Sequence, residues 1–171
     1  MKLKLREIIV FALLGSLMLL SKLVFEPLPN VHLLAVLTVV YTVCYRQKAL
    51  YPIYLFVFLT GLYAGFNLWW IPYLYLWALL WGAAMLLPRS MPPGVAIPVY
   101  MLLCGLHGLL YGTMYAPAQA LMYGLDLRGT LTWIAAGLPF DALHGVSNFC
   151  MGILVLPLTR ALRAAEQGLR K

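Results

Sequence analysis

Charge is what this sequence has least of. Of its 171 residues only 10% are Asp, Glu, Lys or Arg, just five of them are acidic, and 64% are hydrophobic. A soluble domain carries about a quarter charged residues, so the shortage excludes an ordinary water-soluble fold and points to an integral membrane protein. No polar stretch is long enough for a separate soluble unit, so residues 1–171 read as one domain. Cysteine is scarce as well. Cys44, Cys104 and Cys150 lie within or at the ends of apolar runs without paired spacing, which argues against a disulfide framework or a zinc site and for buried small hydrophobes. The chain also has no H-E-x-x-H, nucleophile elbow or aspartate-rich metal motif. No repeat, low-complexity run or inverted-repeat signal stands out. No small-x-small cleavage site follows the first apolar run, which is therefore expected to be a retained helix rather than a signal peptide.

The net charge of +7 has the sign of a nucleic-acid binder but not its distribution. Lys2, Lys4, Arg6, Arg46, Lys48, Arg89, Arg160, Arg163, Arg170 and Lys171 fall in the termini and two short loops. That is a membrane-topology signal, and no nucleic-acid partner is expected. Between the basic points lie apolar segments at about 8–25, 31–45, 50–66, 69–87, 95–115 and 130–158. The expectation is an all-α membrane protein, a compact bundle of six transmembrane helices with cytoplasmic N- and C-termini. Glu26, Asn67, Gln119, Asp126 and Arg128 would then occupy outer loops. A crossing needs about 20 residues, so 31–45 is short. Segment 130–158 is long, and Pro139 would let it bend.

The last segment holds the focus of the chain, Gly137-Leu138-Pro139-Phe140-Asp141-Ala142-Leu143-His144-Gly145-Val146-Ser147-Asn148. Asp141, His144 and Asn148 stand at i, i+3 and i+7 and project from one helical face. His107 lies at comparable depth on the preceding segment. Ionisable groups are expensive in hydrocarbon unless they pair or line a cavity, so the cluster reads as a functional site. It is either a ligand site entered from outside or a hydrogen-bonded staple between the last two segments. Asn67, Trp70 and Tyr73 sit at the outer level, where such rings either anchor the interface or stack on a planar ligand. Lys22 and Glu26 are spaced for an ion pair, and Glu26 to His32, with Pro27 and Pro29, forms a stiff turn that is either a lid or a connector. Ala12, Gly15 and Ser16 form a small patch for close helix approach. No cofactor, metal or catalytic residue is expected, although Asp141 and His144 could serve an intramembrane enzyme as an acid/base pair. A small envelope scaffold is the other alternative.

Six short-looped helices with basic termini inside, together with Ala12-Leu13-Leu14-Gly15-Ser16, Trp69-Trp70-Ile71-Pro72-Tyr73 and Leu138 to Phe149, resemble the substrate-binding S component of energy-coupling factor (ECF) transporters. The resemblance covers nearly the whole chain. It implies a subunit of an ABC-type importer in the bacterial inner or plasma membrane. Such a subunit captures a vitamin-like heterocycle and has no ATPase of its own. Its implied partners are a transmembrane coupling subunit and two ABC ATPases, besides membrane lipid. It also implies that Glu26 to His32 covers the ligand. The family's Ala-x-x-x-Ala coupling contact would map to Ala12 and Ser16, where the serine departs from the motif. An acid with imidazoles and an amide suits thiamine-, pyridoxine-, queuosine- or cobalamin-like ligands alike.

Overall fold

The computed structural model describes residues 3–168, so Lys2, Arg170 and Lys171 lie outside the described residues. The helices are α1 (Leu5–Val24), α2 (Leu34–Tyr45), α3 (Leu50–Ala64), α4 (Tyr73–Met85), α5 (Pro93–Leu109), α6 (Tyr111–Tyr123), α7 (Leu127–Met151) and α8 (Val155–Gly168). Short 3-10 turns occupy Arg46–Ala49, Leu68–Trp70 and Gly152–Leu154. Four helical stretches, Leu5–Val24, Leu68–Met85, Pro93–Tyr123 and Leu127–Gly168, are long and apolar enough to cross a membrane. The chain is thus an all-α, multi-pass membrane protein.

The segment expected to be short is the centre of the bundle. Every residue from Leu34 to Val43 is buried. A helix that is apolar all round has no solvated face to present and takes the middle of its neighbours. Of its two interior threonines, Thr42 returns its hydroxyl to the carbonyl of Thr38 at 2.7 Å, while the buried hydroxyl of Thr38 has no partner among the described residues. At 12 residues, α2 spans about 18 Å against about 37 Å for the 25 residues of α7. The connection 25–33 leads to it with residues 26–29 exposed and 30–33 half-buried, so only its last residues turn inward.

The last two segments divide differently from the sequence expectation. The outer loop expected to carry Gln119 is helical, since α6 continues to Tyr123 and ends on Gly124 in the left-handed region (φ 65°). Asp126 then caps α7, accepting the N–H of Gly129 at 2.7 Å. The interruption lies lower, at Leu110 between α5 and α6. Conversely, α7 runs unbroken through Pro139, and the tightening to 3-10 comes at Gly152–Leu154.

Most of the basic residues gather at one end, Arg6, Arg46, Lys48, Arg89 and Arg163 among them. Arg46 donates to the carbonyls of Met85 and Leu87, Arg6 to that of Glu166, and Arg163 to those of Val43 and Arg89. Lys48 pairs with Glu7, the one ion pair among the described residues. Lys22 and Glu26 therefore do not pair with each other.

Helices α5 and α7 pack on glycine. A Cβ on Gly108 would lie 2.6 Å from the carbonyl oxygen of His144, and one on Gly152 would lie 2.6 Å from the Cα of Met101. Both obstacles are backbone and cannot swing away. Gly108→Ala is expected to destabilise the bundle by about 1–3 kcal/mol through overpacking. Gly82→Ala, on α4 with nothing within 4 Å, should be neutral or gain about 0.5–1 kcal/mol. Melting temperatures of the two variants in one detergent check the pair; equal shifts would contradict the packing.

Candidate functional site

At the end of connection 25–33, five aromatic and imidazole rings close a circuit. His32 meets His144 at 4.8 Å between ring centroids, His144 meets Tyr111 at 4.9 Å, and Tyr111 meets His107 at 5.9 Å. His107 then meets Trp77 at 5.6 Å, and Trp77 returns to His32 at 6.4 Å. Connection 25–33 and helices α4, α5, α6 and α7 each supply one ring. All three histidines of the chain are in it.

Several buried nitrogens of this circuit have unmet hydrogen bonding, as do Thr38, Tyr45, Ser147, Asn148 and Thr159 outside it. His32 Nδ1, His107 Nδ1, His144 Nε2 and Trp77 Nε1 are all cut off from water and have no partner. Most buried polar atoms in folded proteins are paired, and each one that is not costs about 1–3 kcal/mol. The indole nitrogen can only donate. His107 Nε2 lies 3.2 Å from the carbonyl oxygen of Leu76, which can only accept, so Nε2 carries the proton. In the neutral ring, His107 Nδ1 is then an acceptor. His32, outside the helices, has its imidazole pushed down to about 4, chiefly by burial. It is neutral at pH 7. Trp77 Nε1 and His107 Nδ1 thus offer the circuit one donor and one acceptor.

Around the circuit the stacking continues outward. Tyr73 stacks on Trp77 at 5.7 Å with planes 18° apart, and Trp69 meets Tyr73 edge-on at 5.6 Å. Tyr111 leads to Tyr115 at 6.3 Å, which stacks on Trp133 at 5.9 Å. The hydroxyl of Tyr115 holds the carbonyl of Trp69, joining these two outward arms. The connection itself lines a shallow, open pocket of about 140 Å³, to which Lys22, Glu26, Pro29, Asn30 and His32 contribute. Asn30 makes the sharp turn there with φ 59°.

Comparison of the chain with known protein families, with characterised proteins and with solved structures finds no match.

The predicted site residues separate into groups. His144 and His107 are in the circuit, both buried, and Tyr73 is stacked against it. Lys22 and Glu26 line the pocket of connection 25–33. Asp141 is buried but turned to another task. Both carboxyl oxygens accept the N–H of Gly112, at 3.0 and 3.1 Å. A regular helix would give that N–H to the carbonyl of Gly108; here the ladder breaks at Leu110, and Asp141 caps the first turn of α6 from across the interface. Asn148 is fully buried against Gly108 with neither amide atom paired, one turn beyond His144. Asn67 is exposed, and Trp70 donates its Nε1 to the carbonyl of Val57 at 2.8 Å, which anchors the 66–72 connection to α3. Neither joins the rings. Among the described residues, no three His, Cys, Asp or Glu side chains are grouped to hold a metal ion.

On α1 the small patch divides too. Gly15 faces α3, where a Cβ would meet Leu55 at 2.9 Å, whereas Ala12 and Ser16 are exposed. They lie among exposed Ile8, Ile9, Leu13, Leu17 and Leu20. The sequence pattern does not single out Trp77 or Tyr111, and it places His32 only in the stretch Glu26 to His32, a lid or a connector. The available signal is compositional: the chain has three histidines, and two of them fall in one focus.

Proposed function

We propose that this protein is the membrane-embedded solute-binding subunit, or S component, of an ECF-type importer, capturing a small vitamin-like heterocycle for ATP-driven uptake. The observation that carries this reading is the circuit of five rings with four unpartnered buried nitrogens beneath a connection that can act as its cover. Unpaired groups are a poor way to hold a bundle together and a good way to receive a flat, hydrogen-bonding solute. In this reading the chain crosses a bacterial inner or plasma membrane six times, with α2 and α3 as inner crossings, and both termini face the cytoplasm. Glu26 to His32 is the lid, and His32, Trp77, His107, Tyr111 and His144 hold the ligand, with Tyr73 behind Trp77. The protein has no catalytic role. Uptake depends on a transmembrane coupling subunit with two ABC ATPases, docked on the exposed face of α1 at Ala12 and Ser16.

Two experiments bear on this. Mass spectrometry of small molecules released from the purified, detergent-solubilised protein is expected to find one heterocycle. Empty protein, with no thermal shift across a vitamin panel, would count against a solute-binding role. Ala12→Leu is expected to abolish uptake in cells while purified protein still binds the solute, because the substitution fills the α1 face far from the rings. Loss of binding and uptake together would remove α1 from the coupling role.

A further inference from the structure

At the opposite end of the bundle from the rings, the basic residues surround a pocket of about 550 Å³ lined by residues that include Arg46, Lys48, Arg89 and Arg163, with no carboxylate in its lining. We infer that this pocket seats the phosphate group of an anionic membrane phospholipid.

The pocket is a built feature rather than a loose collection of loop charges. Arg46 lies just past the end of α2 with φ 55° and ψ −122°, a backbone conformation that costs a residue with a Cβ. Its guanidinium is tied to the carbonyls of Met85 and Leu87 at the end of α4. Arg163 reaches from α8 to the carbonyls of Val43, 3.3 Å away, and Arg89, 3.4 Å away. Carbonyls orient these side chains without cancelling their charge. A guanidinium has five N–H donors, so each keeps several for a ligand. Lys48 is neutralised by Glu7, whereas Arg89 is exposed and makes no ion pair. The lining therefore holds three cations that make no ion pair among the described residues, two of them fixed in direction by backbone, while the carboxylate of Glu166 acts on the lining residues Cys44 and Tyr45.

The surroundings favour a lipid over a free phosphate. The outer helices expose large apolar residues, and Leu86, which follows the pocket residue Met85 at the end of α4 without lining the pocket, is 86% exposed. A soluble anion gains nothing from such a neighbour, but an acyl chain leaving the pocket would cover it. Basic pockets between transmembrane helices at the positively charged side of a bundle suit anionic headgroups, each cation contributing about fivefold in affinity near the surface. The inference does not depend on what the ring circuit binds.

The test is native mass spectrometry of the full chain from micelles containing equal phosphatidylglycerol and phosphatidylcholine. Phosphatidylglycerol adducts are expected to dominate, to fall about fivefold in Arg89→Gln, and to fall further when Arg163→Gln is added. Arg89→Gln breaks no hydrogen bond made by the arginine side chain to the described residues, so its melting temperature should equal that of the parent. Equal retention of the two lipids, or unchanged adducts in both variants, would overturn the assignment. No phosphatidylglycerol adduct, combined with a rise in melting temperature on adding inorganic phosphate that Arg89→Gln removes, would give the pocket to a free anion and overturn the lipid.

Discussion

Asp141→Ala is expected to lower the stability of the bundle by about 1–3 kcal/mol, whether or not a ligand is present. The N–H of Gly112 loses the acceptor it has found outside its own helix, and a buried amide left without a partner costs about 1–3 kcal/mol. Asp141→Asn keeps one acceptor oxygen of the same reach and should lose less than half as much. Thermal denaturation in a single detergent, with surviving helicity followed by circular dichroism, measures both. If Asp141→Ala melts with the parent protein and loses only its solute, the carboxyl group belongs to the ligand site and the capping role is wrong.

The opposite outcome is expected three residues on. His144→Leu removes an imidazole whose buried Nε2 has no partner and restores roughly the same volume, so the fold should be as stable as before or slightly more so. Solute affinity should fall on the order of tenfold or more, the equivalent of one hydrogen bond and a ring face. Isothermal titration with the solute recovered from the parent protein provides the number. Undiminished affinity would take His144 out of the site, and a steep loss of stability would make the circuit a structural core.

These two residues also mark how far the sequence could be read. The helical spacing of Asp141, His144 and Asn148 places them on one buried face, as they are found, and the distribution of cations locates the basic end. Spacing along one helix cannot reveal what lies opposite. The partner of Asp141 is a backbone N–H freed by a break at Leu110, and no side-chain pattern announces such a break in a run as apolar as Val95 to Tyr115. His32 was hidden for a related reason. Its place follows from the chain turning inward to enter α2, a three-dimensional consequence of burying that helix on all sides. Trp70 and Trp77 look alike in sequence, yet one indole is spent on the carbonyl of Val57 and the other is left unpaired. Which of two tryptophans is available is decided by the backbone each one meets.

The enclosure of α2 has a consequence for how the protein meets bilayers of different thickness. Hydrophobic mismatch acts where side chains touch lipid, tilting helices or deforming the membrane. The helices that expose large apolar residues, α1 and α7 among them, would take up that adjustment. The stretch Leu34 to Val43 is solvated by protein and feels no lipid directly. Since His32 is tied to the start of that stretch, its level is referenced to the interior of the bundle and not to the membrane surface. The ring circuit is in this sense suspended from an inner post, insulated from the thickness of the sheet in which the outer helices float.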